Sequence, residues 1–121
     1  MAIEMKCYRA TAASGGVRGA QNIFMKDVYE DLQVLERYVD AGVASRGIAL
    51  VLTDHHHFVA PTAKRGACWA YDISNGHHFP SGNIAVPIAN KSVNIRLQRH
   101  YRFHWEQCGH LWFLELEGAE A

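Results

Sequence analysis

Glu4 and Lys6 are the first residues whose types and spacing suit them to chemistry, and they lie in the stretch IEMKCY at residues 3–8. In a β-strand alternate side chains share a face, so this carboxylate and ammonium group would point the same way, with Ile3 and Met5 on the other face. Such a charged pair is a candidate functional site. The same spacing also fits a solvated ion pair on an edge strand, and both interpretations stay open on spacing alone.

The histidines are a second group with chemical potential. The chain has 8 of them, including the consecutive runs His55–His57 and His77–His78. Imidazole is a common ligand of transition metals, but three consecutive side chains on regular structure do not all face one ion. We therefore favour a polar loop that follows a buried strand. Asp54 ends that strand, and because strand ends often form sites in parallel sheets, Asp54 with His55 and His57 is the predicted pocket.

The cysteines and the late aromatic residues have ordinary structural interpretations. Cys7, Cys68 and Cys108 form no CxxC motif and have no base nearby in sequence that would activate a thiol, so we expect small buried hydrophobes with reduced thiols. An aromatic group near the end of the chain would suit either the stacking of nucleic-acid bases or a core, and we favour the core. Its members are Tyr101, Phe103, Trp105, Trp112 and Phe113.

Length and composition predict one globular domain over residues 1–121. Hydrophobic residues make up 49% of the chain and charged residues 20%, and the formal net charge is +0. A neutral chain has no general affinity for nucleic acid, which leaves only a local basic patch for that partner. The sequence has neither an apolar leader nor a run long enough to cross a membrane, so we expect a cytoplasmic protein with no membrane partner.

The clearest predicted element is an amphipathic helix over residues 22–42, with Asn22 as its N-cap and Gly42 just past its end. Predicted strands cover residues 2–9, 47–53, 69–73, 93–97, 100–106 and 111–117, and predicted loops cover 11–20, 54–66 and most of 77–90. The order strand, helix, strand makes the first two strands parallel neighbours. The fold class is therefore α+β, a mixed sheet with one long helix packed on it.

Four ordered pieces of the chain resemble the PD-(D/E)XK restriction-endonuclease-like superfamily. They are IEMKCY, FMKDVYEDLQVLERYVDAG, RGIALVLTDHH and YRFHWEQCGHLWFLELE, and the resemblance runs from residue 3 to about residue 117. It implies a restriction-endonuclease-like core. In that family Glu4 would match an acid that binds Mg²⁺ or Mn²⁺, the Met5 carbonyl a further ligand, and Lys6 the lysine that positions water and stabilises charge on phosphate.

The chain departs from the family pattern at its start. The family's first acid lies on a strand upstream of the E-X-K strand, and only Met1, Ala2 and Ile3 precede Glu4 here. We expect either loss of nuclease chemistry, which we favour, or an acid supplied by Glu30 or Asp31 of the helix or by a second subunit. Asp54 is the other residue of this chain that we predict as a metal ligand.

Two functions follow from this resemblance. The favoured one is a truncated endonuclease-like domain without full nuclease activity, which acts as an oligomeric protein that binds a ligand or partner, with a pocket built from the loops at 11–20 and 54–66. The alternative is a Mg²⁺-dependent endonuclease that uses Glu4 and Lys6. Because the absent strand leaves backbone groups or apolar surface uncovered, we also expect a homodimer or higher oligomer with the strand at 2–9 near its interface.

Overall fold

The structure is a computed structural model that describes residues 1–10 and 21–120. The predicted loop at 11–20 lies outside the described residues. The helices are α1 (Gln21–Asp40) and α2 (His56–Val59), with a 3₁₀ turn at Ala67–Tyr71, and the strands are β1 (Ala2–Tyr8), β2 (Gly47–Thr53), β3 (His78–Phe79), β4 (Gly82–Ile84), β5 (Ile95–Leu97), β6 (Tyr101–Arg102), β7 (Trp105–Cys108) and β8 (Leu111–Glu117).

The main sheet has four strands in the order β1-β2-β8-β7. β1 and β2 are parallel, while β8 runs antiparallel to both β2 and β7. Two small antiparallel sheets, β3–β6 and β4–β5, complete the described strands. The predicted α+β class with a mixed sheet and one long helix is therefore confirmed.

β1 has a polar face towards α1 and an apolar face towards solvent. Glu4, Lys6 and Tyr8 alternate with Ile3, Met5 and Cys7, and the second set is the exposed one. Ile3 is 51% exposed and Met5 75% exposed. Across the sheet the register continues each row, so Met5 lies beside Leu50 of β2, and Leu50 lies beside Glu115 of β8. We call the solvent side of these strands the outer face.

Helix α1 ends as the sequence predicts but does not begin as predicted. Gly42 has φ +75, and the Val43 and Gly42 amides donate to the Tyr38 and Val39 carbonyls, which is the Schellman arrangement that ends a helix. The predicted N-cap is wrong, because Gln21 is already helical and Asn22 therefore lies within the helix.

Glycine at the start of β2 lets the strand pass close beneath α1. A Cβ atom at Gly47 would lie 3.0 Å from the Leu35 Cβ atom, tighter than nearly all real contacts. Leu35 is itself buried, so it has little room to move aside. The close approach brings the apolar run of β2 against the helix and leaves Ala49 and Val51 almost fully buried.

A buried carboxylate joins α1 to the late strands. Glu36 is 6% exposed, and it accepts hydrogen bonds from the Gln98 amide (2.8 Å), the Arg99 amide (3.1 Å) and the Tyr101 hydroxyl (2.5 Å). Burial, with the hydrogen bond to Glu36, raises the pKa of the Tyr101 phenol and keeps it a donor. A polar group in the core is stable only when it is satisfied in this way.

Several predicted elements differ from the structure in the second half of the chain. Residues 69–73 do not form a strand, since the 3₁₀ turn covers most of them, and the predicted strand at 100–106 is divided between β6 and β7. Of the predicted strand at 93–97, only Ile95–Leu97 forms β5. The prediction for 111–117 is confirmed by β8.

The burial predictions are confirmed for part of the aromatic group and wrong for two cysteines. Tyr101, Phe103 and Trp105 are core residues with at most 4% exposure. Cys7 and Cys108 are exposed, because both lie on strands whose outer face is uncovered, and neither forms a disulfide. No helix in the described part of the chain is long and apolar enough to cross a membrane.

Replacing Glu36 by alanine tests the importance of its hydrogen bonds. Glu36→Ala leaves the buried Tyr101 hydroxyl and the part-buried Gln98 and Arg99 amides without their acceptor, so we expect the free energy of unfolding to fall by roughly 3 kcal/mol in urea denaturation. Glu115→Ala is the matched control, since Glu115 is exposed on β8 and its removal should change stability by less than about 0.5 kcal/mol. Equal effects of the two substitutions would show that the buried carboxylate has no special role.

Candidate functional site

The charged face of β1 lies against the acidic side of α1. The Lys6 ammonium group is 3.4 Å from a carboxylate oxygen of Asp31, and both side chains are half-buried. Glu4 lies two residues away on the same face, and no ion pair joins it to a described residue. The predicted pair therefore shares a face, but the partner of Lys6 comes from the helix.

Asp31 responds to the charges around it. Burial raises the pKa of its carboxyl above the ordinary 3.8, the Lys6 ammonium group opposes that rise, and the negative charges of Glu4 and Asp27 add to it. Glu4 is therefore close enough to Asp31 to affect its proton. Lys6, Glu4 and Asp31 form one electrostatic cluster between β1 and α1, which we call the β1–α1 cluster.

Asp54 does not belong to this cluster. Tyr8 pairs with Thr53 at the far end of β1, so Asp54 lies more than four residues along the strand from Glu4, a distance of at least about 13 Å. Since a metal–oxygen bond is only about 2 to 2.6 Å long, one ion does not reach both carboxylates in this geometry, and each stays a separate prediction as a metal ligand.

The structure gives Asp54 a structural contact instead. One of its oxygens accepts the Ala10 amide at 2.7 Å, and the neighbouring Thr53 hydroxyl donates to the Tyr8 carbonyl at 2.8 Å. These bonds connect the carboxyl ends of β1 and β2. The expectation that parallel strand ends come together here is therefore confirmed, although the Asp54 carboxylate serves the backbone.

The predicted pocket residues His55 and His57 lie at the start of α2, and their rings pack against different neighbours. The His55 ring packs against Tyr8 and Phe58, and its buried Nε2 atom has no hydrogen-bond partner among the described residues. Burial lowers the pKa of His55, which favours the neutral ring. The His57 ring packs against Trp69, and its centroid is 5.8 Å from that of the His55 ring, so the two predicted pocket residues are neighbours with different packing partners.

His77 and His78 also have separate surroundings. The His77 Nδ1 atom is 3.6 Å from Asp72, and burial lowers the pKa of the ring. The His78 Nε2 atom is instead 3.3 Å from the Nδ1 atom of His100, on the exposed side of β3. The two adjacent side chains therefore have different partners, as expected for consecutive residues of an extended segment.

Sequence reasoning missed a cavity of about 200 Å³ at the carboxyl end of α1. Its polar lining includes Glu36, Arg46, Arg99, Tyr101 and Glu117. Both arginines there are already paired, since Arg46 binds Glu117 at 2.7 Å and Arg99 binds Asp40 at 2.7 Å. No short motif announces this cavity, because its walls come from residues distant in sequence.

Potential metal ligands are dispersed. Within residues 1–10 and 21–120, no group of three or more His, Cys, Asp or Glu side chains is placed to hold a metal ion. Comparisons of the chain with models of known families, with curated proteins and with solved structures found no match. Any function proposed for this chain therefore rests on the geometry of the β1–α1 cluster and of the outer face.

The pKa of Asp31 tests the geometry of the β1–α1 cluster. Lys6→Ala should raise this pKa further, because the nearby positive charge is lost, and Glu4→Gln should lower it, because a negative charge is lost. Carboxyl ¹³C NMR titration measures both changes. Lys91→Ala is the control, since Lys91 is exposed elsewhere and should leave the Asp31 titration unchanged. No response to either cluster substitution would contradict the arrangement.

The direction of the Asp31 shift also fixes its effect on stability. Because the folded carboxyl holds its proton more tightly than the unfolded one, its contribution to stability is fully present below the unfolded pKa of 3.8. That contribution is lost as the pH rises through the higher folded pKa. We expect Lys6→Ala to extend this pH range upwards in urea denaturation, and Lys91→Ala to leave it unchanged.

Proposed function

We propose that this chain is a restriction-endonuclease-like domain without full nuclease activity, which acts in the cytoplasm by binding a partner chain. The observation that carries the proposal is the contrast between the two faces of β1. On one face Lys6 is engaged by Asp31, and on the other face apolar side chains are open to solvent.

The charged face supports a domain without full catalytic activity. In the chemistry that the resemblance implies, the lysine approaches the reacting phosphate and two acids hold the cation. Here the Lys6 charge is balanced by Asp31, and the other acid expected as a ligand, Asp54, binds the Ala10 amide. Both groups are occupied by contacts that stabilise the fold.

The outer face supports a protein partner. Ile3 and Met5 are exposed, and they continue into the half-buried side chains of Leu50, Leu52 and Phe113. Contiguous exposed apolar surface of this kind marks interaction sites. Acidic residues lie beyond it on β7 and β8, namely Glu106 and Glu115, together with Glu117, whose charge is paired with Arg46. Because acids repel phosphate, this surface favours a protein over nucleic acid.

One observation favours the alternative function, a Mg²⁺- or Mn²⁺-dependent phosphodiesterase. Asp31 lies beside Lys6, and it is close enough to Glu4 for the negative charge of Glu4 to raise the pKa of the Asp31 carboxyl. A rotation of either acidic side chain would bring a second carboxylate towards the first, as expected for an acid supplied by the helix. In that case Glu4 and Asp31 are the cation ligands, and Lys6 stabilises the phosphate charge.

Metal titration and a nicking assay separate the two functions. We expect no heat of binding when Mg²⁺ or Mn²⁺ is titrated into the protein at neutral pH, and no nicking of supercoiled plasmid with either ion. Sedimentation at micromolar concentrations should show self-association or, with a distinct partner added, a complex. Saturable binding of a divalent ion together with nicking would overturn the proposal.

Matched substitutions assign any nicking that is observed. Lys6→Ala and Asp31→Asn should each abolish nicking that arises from the β1–α1 cluster. Lys91→Ala should retain it, since Lys91 lies outside the cluster. Nicking that survives both cluster substitutions comes from another site or from a contaminating nuclease.

A further inference from the structure

The free edge of β1 presents a defined set of backbone groups. β1 is the terminal strand of the main sheet, so in the described part of the chain only one of its edges is paired with a strand. The Ala2 amide donates to the Arg46 carbonyl on the side of β2. Because backbone groups alternate in direction along a strand, Glu4 and Lys6 also bond towards β2, and the amides and carbonyls of Ile3, Met5 and Cys7 face the open edge.

The sequence of β1 is self-complementary when it is read in the opposite direction. Around Met5, the charged residues Glu4 and Lys6 lie at equal distances on either side, and so do the apolar residues Ile3 and Cys7. An antiparallel copy centred on Met5 would therefore bring each acid opposite a lysine. Any shift of two residues from this register would bring like charges opposite each other or lose one of the pairs.

We propose, building on the partner-binding function, that the partner is a second copy of this chain, and that the two copies join their β1 edges antiparallel with Met5 on the two-fold axis. Glu4 of each copy then lies opposite Lys6 of the other. The two main sheets become one continuous sheet, with both α1 helices on one side and both outer faces on the other.

The direction of the backbone groups agrees with this register. Met5 would face Met5 of the second copy, and Ile3 would face Cys7, in hydrogen-bonded pairs with Cα atoms about 5.5 Å apart. Glu4 and Lys6 would then form the non-hydrogen-bonded pairs, whose Cα atoms are only about 4.5 Å apart. The charged side chains are thus the ones brought closest, which suits an ion pair across strands.

The charges of the β1–α1 cluster fit the same arrangement. Within one copy Glu4 has no ion-pair partner in residues 1–10 or 21–120, while Lys6 contacts Asp31. Pairing of the edges would supply Glu4 with a lysine from the second copy. It would also join the exposed Ile3 and Met5 side chains of both copies into one apolar strip. Both changes favour a second copy over a partner without this charge pattern.

Opposite charge swaps test the register. Glu4→Lys places lysines at both positions, and Lys6→Glu places glutamates at both, so each variant alone would set like charges opposite each other. By sedimentation equilibrium we expect each single variant to dimerise at least about tenfold more weakly than the parent chain. An equimolar mixture should regain dimerisation, and the double variant Glu4→Lys/Lys6→Glu should dimerise like the parent.

Glu115→Lys is the control, since it changes a charge on the outer face away from the β1 edge. It should leave the dimer unaffected. A parent chain that stays monomeric would overturn this inference. If that monomer also formed no complex with another protein, the result would contradict the proposed function as well. If the β1 charge swaps leave dimerisation unchanged while Glu115→Lys weakens it, the copies meet through their outer faces. That result would overturn the edge pairing alone.

Engineered disulfides provide a second test that does not depend on the charge variants. With Cys7→Ser in the background, Met5→Cys should form an intermolecular disulfide on mild oxidation, because the paired Cα atoms lie about 5.5 Å apart. Ile3→Cys in that background should form no intermolecular disulfide between the two substituted positions, since position 3 of one copy lies about 13 Å along the strands from position 3 of the other. Ile3→Cys with the native Cys7 should cross-link 3 to 7. Peptide mass spectrometry identifies each bond, and the opposite pattern would refute the register.

Discussion

The parallel pairing of β1 with β2 is the constraint on which the rest of this structure depends. Its register runs from Ala2 opposite Gly47 to Tyr8 opposite Thr53. Since side chains alternate along a strand, a slip of one residue would turn Lys6 towards solvent and Met5 towards α1. This register therefore decides which face is charged and covered and which is apolar and open.

The sequence predicts most accurately those elements that obtain their burial from a simple pattern. β2 is a continuous apolar run whose inner face is buried against α1, and α1 repeats its apolar positions at helical spacing, so the sequence predicts both within two residues. Residues 69–73 look equally strand-like. There the Asp72 carboxylate accepts the Ser74 amide at 2.8 Å, and this local bond favours a turn over an extended strand. Such competition between local contacts is not visible in hydrophobicity.

The candidate site was predictable in its composition but not in its contacts. Alternation alone places Glu4 and Lys6 on one face, whereas the approach of Asp31 depends on how α1 lies across the strands. The separation of Glu4 from Asp54 likewise follows from the register, which no short motif reveals. The expected burial of Cys7 is wrong because residue type predicts average burial, while the exposure of Cys7 follows from an outer face that residues 1–10 and 21–120 leave uncovered.

The carboxylate of Glu36 gives the late part of the chain an unusual dependence on the helix. It accepts the amide of Gln98, which is 62 residues away in sequence, and the amide of Arg99. Neither bond belongs to a strand ladder, so both amide protons keep their acceptor only while the helix stays against this segment. In the language of cooperative unfolding units, residues 98–101 belong with α1 rather than with their neighbours in sequence.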